Sequence, residues 1–152
     1  MKVKRIILFS LILILLGIIF VFSNENGIKS NKTSDAFTEK IIDKVTKTEI
    51  SDEEKQSIII QTRRLVRKSA HFTLYFTLGL LIMLLSSSYQ IKHVFLTSLV
   101  ICFLLACSDE FHQLFTIGRT AKFSDVIIDT MGSTCGILVI NIYYNIKKAV
   151  KH

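Results

Sequence analysis

From Val94 to Cys107 the chain reads VFLTSLVICFLLAC, and directly after it SDEFHQ, Ser108 to Gln113. An uncharged run of 14 residues is thus followed by two acids, an imidazole and an amide within six positions. The apolar run alone is short for a bilayer crossing, which takes about 20 residues as a helix. Flanking His93 and Ser108 lengthen it, and the chain must connect Lys92 with the next loop, so the pattern predicts a span over about 93–108. Charged and amide groups at the mouth of such a span are costly in or near hydrocarbon, which makes the cluster a functional candidate.

The rest of the chain is patterned around similar blocks. Half of its 152 residues are hydrophobic and the mean hydropathy is +0.47, a membrane-protein composition. Ile6 to Phe22 is uncharged for 17 residues, a helix of about 25 Å. Met1-Lys2-Val3-Lys4-Arg5 before it resembles the basic start of a signal peptide, but the apolar block is long for one and Phe22-Ser23-Asn24-Glu25 offers no small-residue cleavage site. An uncleaved anchor over 6–22 is expected. Two further spans are predicted over 71–89 and 126–144, the last interrupted by Asp129. The expected fold is an all-α membrane protein: a single domain over 1–152, a bundle of four transmembrane helices, with an extracellular amphipathic helical segment between the first two.

Charge orients the bundle. Lys2, Lys4, Arg5, Lys92, Lys147, Lys148 and Lys151 lie, without any acid, on the face that holds both termini and the short middle connection. The other face holds the remaining 12 basic residues and all 12 acids, so the net charge of +7 belongs to one side. The positive-inside rule makes that side cytoplasmic, in the cytoplasmic membrane with both termini inside. Arg63, Arg64, Arg67 and Lys68 abut the second span from the outside and are expected to have acidic partners.

The 23–70 stretch is therefore an outer loop. Phe37, Ile41 and Val45 recur every four residues between charges, an amphipathic helix. A second helix begins at Ser51, where Ser51-Asp52-Glu53-Glu54 matches a capping box, and continues through Ile58, Ile59, Thr62, Leu65 and Val66 towards the second span. Both suit the outer interface, apolar face down. Cys102, Cys107 and Cys135 fall inside spans and read as small packing residues rather than a disulfide framework.

This topology gathers the polar residues at one rim: Ser23 and Asn24, then Arg67, Lys68, His71 and Tyr75, then Asp109, Glu110, His112 and Gln113, then Arg119, Asp125 and Asp129. A helical bundle with polar groups at one end forms a pocket there. Lys68, His71 and Tyr75 share a face of span two, and Asp125, Asp129, Gly132 and Gly136 form a stripe on span four, with the glycines permitting close helix approach. Asp129 falls about 6 Å inside its span and needs a cation or a donor. Arg119, on the Ile117-Gly118-Arg119-Thr120 turn, is the preferred partner, with Arg67 and Lys68 as the other candidates.

Phe22-Ser23-Asn24 after the first span, Arg67-Lys68-Ser69-Ala70-His71-Phe72 with Tyr75 and Leu78-Gly79, Ser108 to Gln113, Gly118-Arg119, and Asp125-Val126-Ile127-Ile128-Asp129-Thr130 with Gly132 resemble the VanZ family over essentially the whole chain. The resemblance implies a small bacterial membrane protein related to those that lower susceptibility to the glycopeptide teicoplanin. Leu74 stands where the family often has glutamate, and Ile117 where it often has proline. The first difference removes one carboxylate from the rim.

Three functions fit such a rim. It can bind an anionic lipid head group, a cell-wall precursor or a lipoglycopeptide, with Arg67, Lys68 and Arg119 on phosphate or carboxylate and the acids positioning them. It can be an enzyme on a lipid-linked substrate, with Glu110 or His112 as general base. It can relay protons through Asp129, Glu110 and His71, although the inner halves of the spans offer no polar continuation. No HExxH or CxxC spacing is present, so neither a metal nor another cofactor is expected. The cytoplasmic cations suit anionic membrane lipid rather than nucleic acid. No pattern in the chain sets the oligomeric state.

Overall fold

The computed structural model describes residues 2–24, 52–116 and 122–150. They form four helices: α1 Lys2–Asn24, α2 Asp52–Ser88, α3 Val94–Gln113 and α4 Phe123–Ala149. All four include stretches long and apolar enough to cross a membrane. The 37-residue α2 would extend about 55 Å, far more than the hydrocarbon thickness. Its first half therefore continues the second span as one unbroken helix, as the pattern from Ser51 onward predicts. The amphipathic repeat at Phe37, Ile41 and Val45, and Ser51 of the capping box, lie outside the described residues.

The helices wear their apolar residues on both faces. In α1, Leu8, Ile12, Leu15, Ile19 and Ser23 form the buried stripe, spaced three and four apart. Ile6, Phe9, Leu13, Ile14 and Val21 on the other faces are just as apolar and are exposed. A helix that is hydrophobic all round belongs in lipid or a large core, and here lipid takes the outer face. Hydroxyls that face outward are absorbed locally: Thr73 and Thr77 of α2 donate to the carbonyls of Ser69 and Thr73 one turn back.

α2 is central. It touches the other three helices and packs most extensively on α4, while α1 rests on α2 and α3 without reaching α4. Small residues make the α2–α4 seam. A Cβ on Gly132 would lie 2.5 Å from the Phe72 carbonyl oxygen, and one on Gly136 or Gly79 would collide with the carbonyl oxygen of Phe76 or Ser133. The two backbones are in contact along this line, as the glycine stripe predicts. Phe72 and Phe76 follow Gly132 and Gly136 in the same direction, so α2 and α4 run parallel.

Beneath the polar end lies an apolar core that includes Tyr75, Leu78, Ile82, Cys102, Ala106, Val126 and Ile137. At the opposite end, the Arg5 guanidinium lies 4.3 Å over the Tyr89 ring and donates to the Ser88 carbonyl, fastening the start of α1 to the turn after α2. The shared face of the N-terminus and the short connection, expected from charge, is thus a feature of the packing.

Candidate functional site

The six residues Ser108 to Gln113 are helical and finish α3 rather than following it as a loop. Helical rotation sends their side chains in different directions. Asp109 and Gln113, one turn apart, share a buried face, and the Gln113 amide donates to Asp109 Oδ2 at 3.1 Å. The same oxygen accepts the Ser23 hydroxyl at 2.8 Å, so the last turn of α1 is tied to the last turns of α3. Glu110 turns towards α4 and accepts the backbone N–H of Lys122, the residue that precedes that helix. Its Oε2 is buried with no hydrogen-bond partner among the described residues. His112 faces α1 and stacks on Phe20 with ring centroids 4.6 Å apart, its Nε2 also buried and unpartnered among the described residues.

Parallel α2 and α4 bring successive turns face to face. Lys68 Nζ is 3.2 Å from Asp125 Oδ1, and one turn deeper His71 Nδ1 is 3.7 Å from Asp129 Oδ2. The first pair is partly exposed and worth about 0–1 kcal/mol, so it sets geometry more than stability. The second is buried, with Asp129 only 2% exposed. The register explains the choice of partners: when His71 meets Asp129, Lys68 one turn earlier meets Asp125. Arg119, the expected partner of Asp129, lies outside the described residues.

Arg67, Lys68, His71, Gln113, Asp125, Ile128 and Asp129 line a pocket at this end, with a cavity volume of about 20 Å³. That is room for a water or a single ligand atom and its immediate neighbours, since one water needs about 10–15 Å³. Asp109 adjoins the pocket through Gln113. Three sequence candidates stand apart from it. Tyr75 is 1% exposed in the core, where its hydroxyl donates to the Leu105 carbonyl at 3.4 Å and joins α2 to α3. Glu110 and His112 point to α4 and α1 as described.

Ser23 is the residue whose role the sequence reading leaves unassigned. Its signal was its place at the end of the stripe Leu8, Ile12, Leu15, Ile19, where a polar side chain on a buried face demands a partner. Ile128, the apolar wall of the pocket, carries no signal beyond its neighbours.

The fold and this end together define a bundle of helices long and apolar enough to cross a membrane, with buried acids, an imidazole, Arg67 and Lys68 at one end. The family model described as VanZ/LLP1 matches residues 8–144, and the chain belongs to that family. No curated protein and no solved structure matches the chain.

Proposed function

We propose that the polar end faces the outside of the cytoplasmic membrane and binds the anionic head group of an envelope amphiphile, such as a lipid, a lipid-linked wall precursor or a lipoglycopeptide. Through that binding the protein contributes to teicoplanin-type tolerance or to envelope homeostasis. The observation that carries this reading is the pairing of Arg67 and Lys68 on the lining of a pocket whose other polar walls are largely buried. Arg67 forms no ion pair among the described residues, which leaves its guanidinium fork for a phosphate or carboxylate. The small cavity admits one ligand oxygen, so the rest of the head group lies over the rim.

Family membership supports an envelope role, and the charge asymmetry of the chain supports the orientation. The test is teicoplanin susceptibility of cells expressing the wild-type chain or Arg67→Gln/Lys68→Gln at equal membrane levels. The expected result is protection by the wild type and its loss in the double variant. Equal susceptibility with and without the wild-type chain would remove tolerance from the reading.

A membrane-embedded enzyme acting on a lipid-linked envelope substrate is a second reading, favoured by the unpartnered Glu110 Oε2. A general base there loses roughly 10²-fold or more in rate on Glu110→Gln, whereas a positioning carboxylate loses far less.

A further inference from the structure

We propose that His71, Asp109 and Asp129 bind a divalent transition-metal ion of the zinc or manganese class. One ligand atom from each lies within 4.8 Å of those of the other two. The three come from α2, α3 and α4, so the site exists only in the assembled bundle. Metal-ligand spacing is absent from the sequence because no two of these residues are neighbours in it.

Charge is the first argument. Asp109 and Asp129 are both more than nine-tenths buried. Buried carboxylates are paired with cations or coordinate metals. Among the described residues, Asp109 accepts only the neutral Ser23 hydroxyl and Gln113 amide. Among the described residues, Asp129 faces only the His71 imidazole, at 3.7 Å, longer than a hydrogen bond. Lys68, the cation one turn above, is engaged by Asp125. A divalent ion between the two carboxylates supplies the positive charge that the described side chains do not.

Space and ligand chemistry agree. His71 and Asp129 both line the pocket of about 20 Å³, which has room for a single ion. Ligand atoms around a metal with bonds of about 2.0–2.2 Å lie roughly 3–3.5 Å apart, so side-chain rotations of about 1 Å close the site. One imidazole and two carboxylates suit zinc, manganese or ferrous iron rather than a thiophilic ion, and three protein ligands leave a position open towards the pocket. The Ser23 and Gln113 bonds to Asp109 are the outer contacts that orient a ligating carboxylate.

The metal site opens into the same pocket as the proposed head-group site, but its ligands do not include Arg67 or Lys68, so it is tested without lipid. The full chain is purified in a non-ionic detergent, stripped with a chelator and titrated with Co²⁺, with visible absorption and elemental analysis as readouts. The expected result is about one Co²⁺ per chain, with bands in the visible that Zn²⁺ displaces. His71→Gln, Asp109→Asn and Asp129→Asn each weaken uptake at least 100-fold, and Ser23→Ala, which removes a donor to the Asp109 carboxylate but no metal ligand, weakens it 10–100-fold. His93→Gln, an exposed histidine at the opposite end, leaves uptake unchanged. Helical circular dichroism and gel filtration identify any variant that has lost its fold, and His71→Gln decides the matter if the aspartate variants do not fold. Absence of Co²⁺ uptake by the folded wild type, or unchanged uptake in folded His71→Gln, overturns the site.

Discussion

The Ser23 hydroxyl donates a hydrogen bond of 2.8 Å to Asp109, across 86 residues of sequence and with both side chains buried. The bond joins the last turn of a lipid-facing anchor helix to the acid that opens the most polar cluster of the chain. The Gln113 amide also reaches the Ser23 hydroxyl, at 3.4 Å, so the three side chains form one buried cluster.

Removing that hydroxyl tests how much the polar end contributes to the fold. Ser23→Ala should lower stability in detergent by about 1–2 kcal/mol, since Gln113 still donates to the same oxygen. The measurement is the thermal or denaturant midpoint. The Ser23→Ala, Gln113→Ala double variant should lose more than the sum of the single variants, because Asp109 then has no donor left among the described residues. Simple additivity would contradict the shared role.

The α2–α4 seam predicts an asymmetry among glycines. Gly136→Ala places a methyl group against the Phe76 carbonyl, which cannot swing aside, and should cost about 2 kcal/mol or more in folded protein. Gly17→Ala has nothing within 4 Å of the added carbon and should be neutral or stabilising by about 0.5–1 kcal/mol. Equal tolerance at both positions, read from folded yield and melting temperature, would mean that the helices do not approach as described.

Much of this architecture is legible in the residues themselves. The four spans follow from uncharged runs, although each helix is longer than its run. The end of α3 shows why: Ser108 to Gln113 carries too much polarity to be scored as membrane, yet its acids find donors on α1 and just before α4, its amide pairs with Asp109, and the helix continues to Gln113. The Gly132 and Gly136 stripe correctly announces a close helix approach. Partner choice is less legible. Asp129 has a cation or donor to find on any reading, and only the register between α2 and α4 selects His71 for it and Lys68 for Asp125. The meeting of His71, Asp109 and Asp129 likewise depends on three helices at once.

Orientation is tested by labelling. In a chain whose three native cysteines are replaced, Ser34→Cys, between α1 and α2 in the sequence, should react with a membrane-impermeant thiol reagent in intact cells. Lys148→Cys, near the end of α4, should react only after the membrane is opened. The reverse pattern would place the polar end in the cytoplasm and sink an extracellular ligand.

The Lys68–Asp125 pair makes a prediction of its own. Asp125→Asn frees Lys68 from its partner at 3.2 Å while keeping the side-chain shape. Anionic amphiphile affinity should rise by a factor of about 2–5, with little change in melting temperature because a partly exposed pair contributes about 0–1 kcal/mol. A fall in affinity would show that the aspartate positions the lysine rather than competing with the ligand.

The central claim is that Arg67 and Lys68 hold an anionic head group at this end of the bundle. The direct measurement is lipid retention by native mass spectrometry, after reconstitution in an equimolar mixture of phosphatidylglycerol and phosphatidylcholine. The wild type should retain phosphatidylglycerol in preference, Arg67→Gln/Lys68→Gln should lose most of that preference, and Lys147→Gln/Lys148→Gln at the far end should keep the part that depends on Arg67 and Lys68. Retention by Arg67→Gln/Lys68→Gln equal to that of the wild type would contradict the account.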